Sequence, residues 1–390
     1  MSRTRRSLLR AVGSTGVVGS VVLGSDTNRA WSSRGSAPRI EPIFSYPSPL
    51  GRPDDVHERT ILDLLHRAVP GTAVHLSLYA FTRTNVARAC LAAADRGVDV
   101  NVLVDDHLAE ADAVQRLRGR SNDRVSITAD GGIGVSRNHN KFLLVEELNN
   151  GESNVVWQSS SNLTNTQRFL HNTSVVFRGA GDLYDVYREY WNELAAGDSD
   201  PHYNRTAETD SATVYFSPRS DFDTHLAALE NVVPSRDATI RFMYSIWNEK
   251  RPAIVDRIAE LVDAGCTVEV ILNGEKSDIG QRLRRAGADV LEYPTTTVGR
   301  VTPWQSPNVH SKTMLVDADV DVDGETRRRR LVYTGSQNLS RNGLLANDET
   351  LLRIEDDDVY AQFVRDWKRV HEQGRRLASD GAMAIVRSLW

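Results

Sequence analysis

The sequence predicts an α/β fold of two similar lobes made by internal duplication, each a mixed, largely parallel sheet flanked by helices, with one site at their pseudo-twofold interface. Three observations predict it. The phrase His139-Asn140-Lys141 returns as His310-Ser311-Lys312, each followed by an apolar run, an acid and a later Ser-x-Asn: Ser160/Asn162, then Ser336/Asn338. Strand-like and helix-like periods alternate in the same order in both halves. The copies also keep register: Arg96-Gly97-Val98 maps onto Ala264-Gly265-Cys266 at an offset of 168, and His139 onto His310 at 171. Solenoid units run to roughly 20–50 residues, so a repeat this long is a duplicated domain.

Each segment has its own reason. Thr4-Arg5-Arg6-Ser7-Leu8-Leu9-Arg10 precedes a Gly/Ser-diluted apolar stretch from Ala11 to Ser25, and residues 1–30 read as a twin-arginine export signal that sends the mature chain out of the cell, the alternative being a disordered basic tail. Residues 31–42, rich in Ser, Pro and Gly, read as an extended segment. Lobe 1 is expected over 43–197. It opens on the strand Ile43-Phe44-Ser45 and continues with a helix from Ile61 to Val69, a strand at Val74–Tyr79, an amphipathic helix from Asn85 to Arg96 stopped by Gly97, and a buried strand from Val98 to Val104. A polar linker covers 198–212. Lobe 2, 213–390, repeats the order: Val214–Ser217, then Thr239–Ile246, a helix from Arg251 to Ala264, Gly265, and Thr267–Leu272. Strands alternating with helices call for right-handed crossovers and parallel pairing.

Composition narrows the classes. The 390 residues are 40% hydrophobic and 25% charged, which suits a globular chain rather than a disordered one. The formal net charge is -5, and residues 1–30 carry +4, so the body sits at -9. A general polyanion-binding surface is not advertised. The two cysteines, Cys90 and Cys266, read as buried free thiols. No segment after the N-terminus is an uninterrupted apolar run long enough to span a bilayer, and the chain is expected to be a monomer.

A His and a Lys two apart on a strand project to one face, so each copy offers an imidazole beside a cation. Phosphodiester cleavage needs a nucleophile, a proton for the departing alkoxide, and positive charge around the phosphorus oxygens. Two His and two Lys supply all three without a metal or other cofactor. One imidazole attacks phosphorus while the other protonates the leaving oxygen and then activates the acceptor. Lys141, Lys312, Asn162 and Asn338 are expected to hold the nonbridging oxygens, with Ser160 and Ser336 as further hydroxyl donors.

His310-Ser311-Lys312-Thr313-Met314-Leu315-Val316-Asp317 and Gly335-Ser336-Gln337-Asn338 resemble the HxKxxxxD and GSxN signature of the phospholipase D superfamily at every motif position. His139 to Glu146, then Ser159-Ser160-Ser161-Asn162, is similar, with Glu for Asp and Ser for Gly. The resemblance implies a two-lobed α/β fold, a phosphohistidine intermediate and metal independence. It also implies an acid beyond the GSxN segment that orients the catalytic His. Glu349, eleven residues after Asn338, fits that place, whereas the matching residue after Asn162 is Thr173. His310 is therefore expected to have an orienting carboxylate and His139 to lack one. In two-motif members the N-terminal His is usually the nucleophile, which assigns that role to His139 and acid/base work to His310, although the carboxylate asymmetry argues for the reverse. Glu146 and Asp317, on the strand face opposite their His and Lys, read as structural.

Other features take blander readings. Asp319–Gly324 resembles the start of a calcium loop, but Arg330 stands where a bidentate Glu is wanted, so it reads as an acidic hairpin turn. Arg327–Arg330 reads as solvated charge, and His75, His107 and His171 as ordinary histidines. Gly131–Gly134 reads as a mobile loop beside His139. The leading substrate is a glycerophospholipid such as phosphatidylcholine, hydrolysed or transferred onto an alcohol during transient contact with a membrane surface. Tyr293, Val298, Val301 and Trp304 are expected to dip into that interface, with Trp304 packed inside the fold as the alternative. A secreted nuclease is the alternative, which the net charge disfavours, and cardiolipin synthesis is a third.

Overall fold

Lobe 1 is built in chain order from β1 (Arg39–Phe44), α1 (Val56–Arg67), β2 (Ala73–Leu78), α2 (Thr84–Asp95), β3 (Asp99–Val104), α3 (Asp112–Arg118), β4 (Val125–Thr128), β5 (Lys141–Glu147), β6 (Ser153–Ser159), β7 (Leu170–His171), β8 (Thr173–Arg178) and α4 (Gly181–Ala196). Lobe 2 follows with β9 (Thr206–Glu208), β10 (Thr213–Ser217), α5 (Thr224–Glu230), β11 (Val232–Val233), β12 (Thr239–Tyr244), α6 (Pro252–Asp263), β13 (Thr267–Leu272), α7 (Ile279–Arg285), β14 (Asp289–Glu292), β15 (Asn308–Val309), β16 (Lys312–Val322), β17 (Glu325–Gly335), α8 (Arg341–Leu345), β18 (Glu349–Glu355) and α9 (Asp357–Ser388). This is a computed structural model that describes residues 37–120, 123–274, 278–294, 307–322 and 324–388, with side chains described as far as residue 379. The export segment and Val298, Val301 and Trp304 lie outside the described residues.

The duplication extends to the strand order. The first sheet runs β1-β8-β6-β5-β2-β3-β4, and the second runs β10-β18-β17-β16-β12-β13-β14, with β9 added at one edge and β11 paired to β16. Both sheets are mixed, but the expectation of largely parallel pairing is corrected. Only β2-β3-β4 and β12-β13-β14 pair in parallel, and the remaining pairings within each sheet are antiparallel. Helical crossovers join only those parallel strands. After β4 the chain enters β5 through a loop, and β5-β6 and β16-β17 are hairpins, which need no crossover. The edges of the expected segments also move: β1 begins at Arg39 within the expected extended segment, and β9 pairs with β10 from within the expected linker.

Periodicity explains the layers. Along β5, Phe142 and Leu144 face a central core while Leu143 and Val145 face an outer one, the two-residue period of a strand buried on both sides. On β16, Leu315 faces the same central core and Met314 and Val316 face the second outer core. The central core is shared between lobes: Tyr187 and Tyr190 of α4 join Phe216 of β10 and Phe363 and Trp367 of α9. Helices α2 and α6 end at Gly97 (φ 102°) and Gly265 (φ 100°), left-handed positions that favour glycine. These turns launch β3 and β13 in equivalent ways.

Candidate active site

The two motifs meet at a seam stitched by backbone bonds between lobes. His139 N donates to the Asp348 carbonyl at 3.0 Å and Asp348 N to the Arg137 carbonyl at 2.8 Å. On the other side, β15 pairs in parallel with β7, and His310 N donates to the His171 carbonyl at 2.8 Å. Side chains repeat the crossing, with Thr350 Oγ1 donating to Asn140 Oδ1 at 2.8 Å and Thr173 Oγ1 lying 3.3 Å from Thr334 Oγ1.

Each catalytic candidate is oriented by the opposite lobe. His139 Nδ1 bonds Glu349 Oε2 at 2.8 Å, and His310 Nδ1 bonds Asn172 Oδ1 at 3.0 Å. This corrects the expectation that Glu349 backs His310 and that His139 lacks an orienter. A strand edge points across the seam, so the acid of lobe 2 reaches the imidazole of lobe 1. Asn172, not Thr173, is the structural counterpart of Glu349. Thr173 matches Thr350, since Ser160 N donates to the Thr173 carbonyl and Ser336 N to the Thr350 carbonyl, both at 2.9 Å. The repeated Thr in Asn172-Thr173 and Glu349-Thr350 was the signal available in the sequence.

Ser160 and Ser336 take a different place from the expected one. Both are fully buried, and their hydroxyls face the orienters: Ser336 Oγ donates to Glu349 Oε2 at 2.6 Å and Ser160 Oγ to Asn172 Oδ1 at 3.1 Å. A hydroxyl has one hydrogen, so neither is left to donate to a phosphoryl oxygen. Asn162 and Asn338 are nearly buried, and the Oδ1 of each has no partner among the described residues. Lys141 Nζ donates to the His139 carbonyl, and Lys312 Nζ donates to the His310 carbonyl at 2.6 Å while lying 3.1 Å from His310 Nδ1.

Burial dominates the electrostatics. Lys141 is pushed down to about 7 by desolvation, against the pull of Glu349 and Asp105. Lys312 is lowered by desolvation and by Lys141. Both imidazoles fall below their ordinary range, first through burial and then through the two lysines. Glu349 rises to about 8 because burial outweighs Lys141 and the Ser336 hydrogen bond. Burial thus disfavours charge of either sign at these groups.

The rim adds residues that the sequence reading passed over. Tyr79, at the end of β2, lies 4.8 Å from the His139 ring and 5.2 Å from Lys141 Nζ. It stacks at 4.4 Å on His107, which is hydrogen-bonded to the buried Asp105. His107 is therefore part of the site's wall. His171 also has a place: its carbonyl holds His310, and its ring bonds Gln373 at 2.7 Å and Tyr293 at 3.1 Å. Tyr293 is fully buried in that network, which removes it from the expected membrane-facing set. His75 lies under Trp191, with ring centroids 4.9 Å apart. Gly131–Gly134 is a pinned strap, not a mobile loop: Ile133 N and Gly134 N donate to Asp348 Oδ1 at 3.1 and 2.6 Å, and a Cβ on Gly134 would run into the Ala346 carbonyl.

The motif acids stand apart from this centre. Glu146 accepts from Ala73 N at 2.9 Å at the start of β2, and Asp317 pairs with Arg328 and Arg330. Each is five strand residues from its lysine, roughly 17 Å away.

A duplicated α/β fold whose paired His-x-Lys motifs share one buried seam defines a class of phosphoryl-transfer proteins. The chain belongs to the phospholipase D superfamily: the family described as cardiolipin synthase, PLD-like domain, matches residues 61–194 and 235–371, one match per lobe. Its members are phosphoryl-transfer enzymes. Among solved structures, phosphatidylserine synthase of Haemophilus influenzae is similar in fold at a TM-score of 0.59, with 12% identity over 90% of this chain and 94% of that one. Polyphosphate kinase from Porphyromonas gingivalis gives a TM-score of 0.50 and 14% identity over 85% of this chain; the chain spans 50% of that protein's length. Nuc, a phospholipase D family member from Salmonella typhimurium, aligns at 0.33 with 20% identity over 41% of this chain and 95% of that one. No curated protein sequence matches the chain.

Proposed function

We propose that this chain cleaves the phosphodiester of a glycerophospholipid through a phosphohistidine and passes the phosphatidyl group to water or to an alcohol. The observation that carries the reading is the crossed pair of orienters. With Nδ1 of each imidazole bonded to an acceptor from the opposite lobe, Nε2 is the nitrogen those orienters leave open on each ring, and on His310 it lies 3.4 Å from Lys312 Nζ.

In the first step His139 Nε2 bonds to phosphorus, the phosphorus–oxygen bond to the leaving alcohol breaks, and protonated His310 gives its Nε2 proton to that oxygen. In the second, neutral His310 takes a proton from water or alcohol, the oxygen bonds to phosphorus, and the phosphorus–nitrogen bond breaks with its electrons returning to His139. Glu349 stabilises the positive charge on the His139 ring while the covalent bond exists. Lys141, Lys312, Asn162 and Asn338 surround the nonbridging oxygens.

The family match supports a lipid phosphodiester and supports alcohol as an acceptor beside water. Phosphatidylcholine is one substrate of this class. Nucleic acid is the weaker partner, because Arg327 to Arg330, the densest run of positive charge, meet Asp317, Glu355 and Asp357. Export through residues 1–30, action as a monomer and transient docking at a bilayer complete the proposal; no described helix is long and apolar enough to cross a membrane. The test is purified chain on phosphatidylcholine and phosphatidylglycerol vesicles, with and without glycerol, beside single- and double-stranded DNA. Phosphatidate or a phosphatidyl alcohol is expected. DNA cleavage without lipid turnover overturns the lipid reading.

A further inference from the structure

We propose that Asn172 is a positioning residue that makes the two imidazoles chemically unequal, holding His310 in its Nδ1–H form with no counter-charge and thereby fixing it as the proton-transfer partner of a nucleophilic His139. The proposal rests on the two-histidine reading above.

The amide is locked in one orientation. Asn172 Nδ2 donates to the carbonyls of Gln167 and Leu170, each at 3.2 Å, so Oδ1 must be the atom that accepts from Ser160 Oγ and faces His310. An amide oxygen only accepts, so the Asn172 contact requires the hydrogen on His310 Nδ1 and leaves Nε2 basic; Lys312 Nζ, 3.1 Å from Nδ1 and 3.4 Å from Nε2, can then donate only to Nε2. The equivalent corner of the other lobe has the opposite polarity. There the second oxygen, Glu349 Oε1, meets a donor, Asn347 Nδ2, at 3.2 Å. A carboxylate in place of Asn172 would turn its second oxygen toward two carbonyl oxygens. One corner is shaped for an amide and the other for an acid.

The groups around His310 make the difference matter. Lys312 from its own strand and Lys141 and His139 from lobe 1 all oppose a positive ring, burial opposes it further, and only the Ser160 backbone favours it. Neutral Asn172 bonds it, Ser311 Oγ donates instead to the His171 carbonyl at 3.1 Å, and the His171 ring is held neutral by burial. The near carboxylate, Glu349, is bonded to His139. The His310 cation therefore depends on the substrate's own negative charge. A proton held this loosely is readily given to a leaving alkoxide, which suits the acid step. His139, backed by a carboxylate, suits the step that leaves a positive ring bonded to phosphorus.

The test combines a substrate-free measurement with a pH profile. In the wild-type chain, histidine nitrogen NMR is expected to show His310 neutral at pH 6 with its hydrogen on Nδ1; an Nε2–H form or a cation at that pH overturns the proposal. Asn172→Asp is expected to raise the His310 titration and the alkaline limb of kcat/KM by about one pH unit or more. Asn172→Ala is expected to lower kcat roughly 10- to 100-fold with little change in KM. A purely structural role would instead leave the limb in place in every folded variant, and that result also overturns it. Failure of the underlying reading looks different: wild-type chain without phosphodiester turnover at any pH. The NMR result stands without any substrate.

Discussion

Two rings sharing one phosphorus do different work, and a leaving group that needs no proton separates them. With a p-nitrophenyl phosphodiester, His310→Ala is expected to release one equivalent of nitrophenol in a burst and then stall with phosphate label on His139, because only the second step needs the missing base. His139→Ala is expected to give no burst. A burst from His139→Ala and none from His310→Ala would exchange the roles. Glu349→Gln keeps a hydrogen-bonding side chain beside His139 but removes the charge that stabilises the positive ring. A fall in kcat of roughly 100- to 10,000-fold is expected, with the melting temperature kept or raised, since burial raises this carboxyl to about 8 and disfavours its ionised form. Asp317→Asn is the contrasting case. Its partners Arg328 and Arg330 are 40% and 47% exposed, so the change should leave the melting temperature and turnover nearly unaltered.

At the scale of elements, the strap Gly131–Gly134 links the loop before His139 to the residues before Glu349. Any Cβ at Gly134 must push the Ala346 carbonyl away, and the bond from Gly134 N to Asp348 moves with it. Gly134→Ala is expected to destabilise the fold by about 1–3 kcal/mol and to lower kcat more than KM, since the displaced segment ends on Glu349. Kinetics beside thermal unfolding checks this; unchanged kcat in a folded variant would show the strap to be only a spacer. The motifs of both lobes, the helix-stopping glycines and the strand periods were legible because each is local. The exchange of orienters was not, because it is made by strand edges of opposite lobes and has no local period. Spacing also drifts along the repeat, from 168 to 171 and then to 177 at Asn172 and Glu349, so counting from Asn162 lands one residue late, on Thr173. Ser159 and Gly335 show the same limit. A Cβ at Gly335 would strike the Thr350 carbonyl, whereas Ser159 donates its hydroxyl to the Thr173 carbonyl at 3.1 Å, a local difference in room between lobes.

For the whole molecule, the shared central core ties folding to assembly of the site. Tyr187 and Tyr190 from one lobe and Phe216 and Trp367 from the other are buried together, so neither lobe can open without exposing the other. Heat should therefore unfold the chain in one transition, with tryptophan fluorescence and far-ultraviolet dichroism coinciding; two resolved transitions would mean independent lobes. The pH dependence of that transition follows from what is buried. His57, His75 and His171 are held down to about 4 by desolvation. Below pH 6.5 the unfolded chain accepts protons that the fold refuses at these rings, and stability falls as pH falls toward 4. Asp366 on α9 works in the other direction, raised to about 8 by burial that Arg369 only partly offsets. Between about pH 4 and pH 8 the unfolded chain gives up this proton while the fold keeps it, so Asp366 makes stability fall as pH rises. Lys141, lowered to about 7, adds the opposite slope above pH 7. Asp366→Asn removes one contribution alone. The variant should melt closer to wild type at pH 5 and progressively higher than wild type from pH 6.5 to 8; a melting difference that does not change with pH would mean that this carboxyl is ionised in the fold.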